Sequence, residues 1–157
     1  MSLQRLVLVF LTVSAATLTA FGQAPIFPPR VSTFTFAPVG LGSTETLQVN
    51  VANLASNPTS GSPASCPAKV EFINASGAAI GSAASLTATA GETSSVKLTS
   101  AQAGTGVRGE VRVAITLTIT TGVPCSAVYS LETYDTSSGA THVYQTGNGP
   151  VSLPLLR

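Results

Sequence analysis

The chain has 157 residues, of which only 8% are charged, against roughly a quarter in an average globular protein. Seven basic and six acidic residues give a formal net charge of +1, which excludes a nucleic-acid binder held by phosphate contacts and an acidic solvating tail. Hydrophobic residues reach 44%, so low charge does not signal disorder, while one His, one Met, two Cys and no Trp leave most enzyme chemistries without their raw material.

Residues 1–24 read as a secretory signal peptide. Arg5 supplies the positive n-region, Leu6 to Val13 form the apolar stretch, and small residues run to Gly22-Gln23-Ala24. The apolar stretch is shorter than the ~20 residues that span a bilayer, and no second one follows, so no membrane insertion is expected after cleavage. The expected location is secreted: extracellular, periplasmic or at the cell surface. The remainder, on the order of 130 residues, fits one domain. It opens with a Pro-rich arm, residues 25–31, containing Pro25-Ile26-Phe27-Pro28-Pro29, ahead of a domain over residues 32–157.

Periodicity of two dominates that domain. Phe34 and Phe36 alternate with Thr33 and Thr35, and Gly40-Leu41-Gly42 then reads as a breaker. Leu47, Val49 and Val51 alternate with Gln48 and Asn50, and the stretch from Asn57 to Pro67 separates this strand from the next. There Val70 and Phe72 alternate with Lys69 and Glu71. Asn74-Ala75-Ser76-Gly77 and Ala90-Gly91-Glu92 look like tight turns, and Gly81 with its Ser and Thr neighbours breaks any helical stripe in the alanine-rich stretch from Ala78 to Ala90. Val96 and Leu98 mark another strand. The clearest runs through Val111, Val113, Ile115, Leu117 and Ile119, against Arg112, Ala114, Thr116 and Thr118. Ala127, Tyr129 and Leu131 face one way, with Ser130 and Glu132 the other. Asp135 to Gly139 then forms a hairpin turn, in which Asp135 caps and Gly139 takes positive φ. No amphipathic helix is apparent. The expected fold is all-β: an antiparallel β-sandwich of about seven or eight strands, with a small closed barrel as the alternative.

Glu45 to Asn53, alternating and ending in Val51-Ala52-Asn53, resembles a core strand of immunoglobulin-like modules found in bacterial surface and adhesion-related domains. The resemblance implies a sandwich with a surface role and no particular ligand. The chain differs from true immunoglobulin domains in having no Trp, and its cysteines read as lying just ahead of strands rather than inside them.

Cys66 and Cys125 are the only thiols, and in an exported chain an even pair reads as a disulfide. Closing a loop of about 60 residues would stabilise by roughly 4 kcal/mol. A metal site would need three or four ligands, and His142 is the only imidazole; no C-x-x-C spacing exists. No cofactor or metal is implied.

His142 is the one candidate general base, with Asp135 across the hairpin and Ser137, Ser138 and Thr141 nearby. The plainer reading makes it a surface residue of a strand pair, because a triad needs a buried acid and an oxyanion site that one hairpin does not supply. Carboxylate pairs for glycoside hydrolysis would come from Glu45, Glu71, Glu92, Glu110, Glu132 and Asp135, with Glu71 and Glu132 facing if their strands are neighbours. Glu110 and Arg112 read as a solvated stripe. Asp135 alone is too little for calcium, and Asn74-Ala75-Ser76 matches a glycosylation acceptor. Tyr134 and Tyr144, with Tyr129 behind them, could build a sugar platform or simply stabilise the last hairpin. The leading expectation is a non-enzymatic sandwich acting through protein partners or self-association, as an adhesion, envelope-associated, matrix or polymer subunit. The alternative is a carbohydrate-binding or hydrolytic domain using Tyr134, Tyr144 and strand carboxylates. The Pro-rich arm and Val31 to Phe36 either form an ordinary first strand or add to a neighbour's sheet.

Overall fold

The computed structural model describes residues 28–104 and 108–152. The expected signal peptide and Pro25 to Phe27 of the arm lie outside them. Alternating side chains build nine strands: β1 (Arg30–Thr35), β2 (Val39–Gly42), β3 (Glu45–Asn53), β4 (Ser65–Asn74), β5 (Ala84–Thr89), β6 (Thr93–Thr99), β7 (Arg108–Ile119), β8 (Cys125–Asp135) and β9 (Thr141–Ser152). One helical turn, α1 (Ser100–Ala103), stands between β6 and β7. The strands form two antiparallel sheets packed face to face, one in the order β1-β7-β4-β5 with β2 also on β7, the other β6-β3-β8-β9. The expected β-sandwich is what the chain forms.

The alternation read from the sequence sorts core from surface. Leu47, Val49, Val51, Val70, Val111, Val113, Ile115, Leu117 and Leu131 are fully buried between the sheets. Each such side chain contributes roughly 1.5–3 kcal/mol of transfer free energy. Phe34 reaches across from β1 to Tyr129 of β8, ring centroids 5.4 Å apart, and meets Phe36 edge-on at 5.0 Å. These aromatics fill the inter-sheet space in a chain that has no Trp. Burial raises the Tyr129 hydroxyl to about 12.

Two local expectations need correction, and one strand lies where none was expected. Gly40-Leu41-Gly42 is no breaker but most of β2, which pairs with Arg108–Val111 of β7 while β1 pairs with Ala114–Ile119 of the same strand. Leu41 is fully buried there, and a lone apolar residue between two glycines is too short to show periodicity. The alanine-rich stretch from Ala78 to Ala90 contains β5, which pairs with β4. The cysteines lie within strands, Cys66 as the second residue of β4 and Cys125 as the first of β8. They form the expected disulfide, with Cα atoms 5.2 Å apart, joining one sheet to the other. Such a bond belongs to an oxidising compartment.

Turn chemistry sets the ends of these strands. Asp135 Oδ1 accepts from the backbone N–H groups of Ser137 (2.9 Å) and Ser138 (2.8 Å), and Gly139 adopts φ of 71°, as the hairpin reading expected. Thr99 caps α1 in a capping box with Gln102, and Ser100 Oγ donates to the Ser43 carbonyl at 2.6 Å. That bond ties the β6–β7 crossover to the β2–β3 turn. Asn53, fully buried, closes the opposite end: its Oδ1 accepts from Ala55 N and Ser126 N, and its Nδ2 donates to the Ala88 carbonyl. No helix among the described residues is long and apolar enough to cross a membrane.

Candidate functional site

At one end of the sandwich the two sheets part around a cleft of about 570 Å³. Gly40 and Gly42 of β2, Ser43 and Thr44 of the following turn, Glu45 of β3, Arg108 of β7, Thr133 of β8, and His142 and Val143 of β9 line it. The cleft therefore draws on both sheets.

His142 reaches it through a bulge. Thr133 pairs with Val143 but Tyr134 pairs with Thr141, leaving His142 as the extra residue of β9. An unpaired bulge residue is turned out of the ladder, which re-aims its side chain. Here the imidazole Nδ1 meets Glu45 Oε1. The other Glu45 oxygen accepts the Gly42 backbone N–H at 2.6 Å. These two bonds, with the charge of Arg108 adding to them, hold the Glu45 carboxyl below the usual carboxylate range. The Arg108 guanidinium lies so close over Gly40 that a Cβ there would overlap it. It makes no ion pair among the described residues. At the floor, Thr133 has no exposed surface, and its Oγ1 is a buried hydroxyl without a hydrogen-bond partner.

The partner of His142 is thus Glu45, not Asp135. Asp135 Oδ2 accepts from Thr44 Oγ1 at 2.8 Å and Oδ1 from the two serines of its own turn, so the Ser137 hydroxyl, the Ser138 N–H, the Thr44 hydroxyl and the Ser137 N–H hold its carboxyl low and commit it to these two turns. Ser137 and Ser138 serve the same turn, and both their hydroxyls point at Asp135 rather than at His142. Glu71 and Glu132 do not face one another: β4 and β8 belong to different sheets, and the two side chains stand on opposite outer faces. Glu71 pairs instead with Lys69 at 2.7 Å. The register does set Glu45 opposite Asp135. Glu92 accepts from Thr89 Oγ1 in the β5–β6 turn, and Glu110 is exposed on β7 as expected. Asn74 Oδ1 accepts from Ser76 N and Ala78 N, building the turn that carries the glycosylation triplet. Among the described residues no three His, Cys, Asp or Glu side chains cluster as metal ligands.

A second polar region covers the outer face of the four-stranded sheet. Lys97, Gln48, Glu132 and Tyr144 stand in one row across β6, β3, β8 and β9, and Ser95, Asn50, Ser130 and Thr146 in the next. Gln48 Nε2 donates to Glu132 and to Asn50, Asn50 Nδ2 donates to Ser130, and Ser95 Oγ donates to Asn50 at 2.6 Å. Tyr134 shares this face, with Lys97 Nζ 5.6 Å from its ring centroid, and Tyr144 is exposed. Tyr129 points the other way, into the core.

Sequence reasoning named Glu45, His142 and Asp135 without bringing His142 to Glu45, and it did not name Arg108 or Thr133. The Glu45–His142 contact spans 97 residues and depends on a bulge that no turn motif announces. Only the strand register supplies that information. No protein-family model matches the chain, and neither the curated proteins nor the solved structures contain a significant match.

Proposed function

We propose that this chain is an exported, non-enzymatic β-sandwich of immunoglobulin-like type that acts through protein–protein contacts, as an adhesion, envelope-associated or matrix subunit able to associate with its own copies. One observation carries this reading: the sheet edges are almost without charge. β5 and β9 hold no Lys, Arg, Asp or Glu, β1 holds only Arg30, and β6 only Lys97. Soluble sandwiches ordinarily guard such edges with charged side chains, because an unguarded strand offers its backbone to another chain. On one flank β5 and β6 are tied together by Ser94 Oγ donating to the Thr87 carbonyl at 2.7 Å. On the other flank β1 is exposed along its outer face, with Val31 65% accessible. β1 pairs within its own domain, on β7, and its free side is the surface on offer. The outward rows of Thr33 and Thr116, bonded to each other at 3.1 Å, add an uncharged face suited to close approach.

The test is sedimentation of the processed, oxidised chain over a concentration series. Association that Val31→Lys with Thr33→Lys abolishes supports the reading, and a chain that stays monomeric throughout contradicts it. A carbohydrate-binding role is the second reading, favoured by Tyr134, Glu132 and Tyr144 sharing one outer face. Glycan binding lost in Tyr144→Ala would support it.

A further inference from the structure

The geometry points to a ligand site in the cleft between the sheets, formed by Arg108, His142 and Thr133, for a small monocarboxylate that also carries hydroxyl groups, a hexuronate or hydroxy acid. This site is separate from the edge contacts proposed above and does not depend on them.

Two side chains there, Arg108 and Thr133, present groups without an ion-pair or hydrogen-bond partner among the described residues, and His142 is paired through Nδ1 alone. Arg108 forms no ion pair, although Glu45 lies in the same cleft, because the Glu45 oxygens are taken by the Gly42 N–H and by His142. Its planar fork matches a carboxylate, and the missing side chain at Gly40 lets it lie flat against β2. Thr133 Oγ1 is fully buried and unpaired, a cost that folding alone does not repay and that a ligand hydroxyl would remove. His142 turns Nδ1 to Glu45, which leaves Nε2 for a ligand. A ligand hydroxyl, which can donate or accept, suits that nitrogen. A carboxylate alone supplies none, and a neutral sugar leaves Arg108 unmatched. A phosphate dianion would bring about twice the negative charge of a carboxylate into the cleft that Glu45 lines. A carboxylate with adjacent hydroxyls satisfies all three groups. The cleft, about 570 Å³, falls in the range of small-ligand sites, ~300–1,000 Å³. Binding is the whole of the proposal: Glu45 is already committed, and no hydroxyl nucleophile is bonded to His142.

D-Glucuronate titrated into the oxidised chain and followed by amide-resolved NMR tests the assignment. The expected result is saturable shifts at Gly40, Gly42, Thr133 and Val143, with acetate, glucose and inorganic phosphate each weaker by about tenfold or more. Arg108→Gln and the isosteric Thr133→Val are each expected to weaken glucuronate binding by about tenfold while the chain remains folded. Lys69→Gln, on the outer face of the other sheet, is expected to leave it unchanged. Absence of saturable shifts, shifts confined to the Tyr134 and Tyr144 face, equal binding of acetate, glucose or phosphate, or unaltered binding in both cleft variants would overturn it.

Discussion

Asn53 shows how a single polar side chain holds elements that the hydrophobic pattern alone leaves loose. Its amide, itself fully buried, joins β3 to the loop after it, to Ser126 of β8 and to the buried Ala88 of β5. Asn53→Ala would take away the partner of two part-buried N–H groups and of the buried Ala88 carbonyl, and we expect a loss of about 2 kcal/mol in urea unfolding. The sequence marked Asn53 as the end of a strand. It did not mark it as a hub, because its partners lie 35 and 73 residues away. Acid behaviour also belongs to this scale. Glu45 and Asp135 both have folded carboxyls held below their ordinary values of 4.5 and 3.8. A depressed folded pKa stabilises above the unfolded value and loses that contribution as pH falls through the folded one. The midpoint of thermal unfolding should therefore be insensitive to these groups above about pH 5.5 and fall below it, with a shallower fall in Glu45→Gln.

The elements most legible in advance were those whose apolar residues alternate over many positions. β7 and β8 present every second residue to the core, from Val111 to Ile119 and from Cys125 to Thr133, and no other assignment satisfies that period. The β8–β9 hairpin was legible because Asp135 and Gly139 carry its turn within five residues. β2 was not, since four residues with two glycines give no period, and neither was the bulge that presents His142. The disulfide lies between these cases. Two cysteines allow one pairing within the chain, but only the register shows that the bond crosses from β4 to β8 and so clamps the two sheets together. Replacing both cysteines with Ala is expected to lower unfolding free energy by about 4 kcal/mol without altering the far-ultraviolet circular dichroism of the folded chain.

For the molecule as a whole, the charge balance and the topology converge on its boundaries. A sandwich leaves four edge strands, and here only Arg30 and Lys97 guard them. β9 packs its Gly147 so closely on Phe34 of β1 that an added Cβ would overlap the ring, which brings the two edges of that flank together. The candidate cleft was the least legible feature, since Arg108, Thr133, Glu45 and His142 come from four strands of two sheets and share no local motif. The charge balance argued against a phosphate-held nucleic-acid binder and an acidic tail; the strand order shows where the uncharged surface lies. The most direct measurement is sedimentation velocity of the oxidised chain over residues 25–157 from micromolar to millimolar concentration, beside the Val31→Lys, Thr33→Lys variant. The account predicts that the wild-type average mass rises with concentration while the variant remains a monomer. A wild type that sediments as a monomer across the whole range would contradict it.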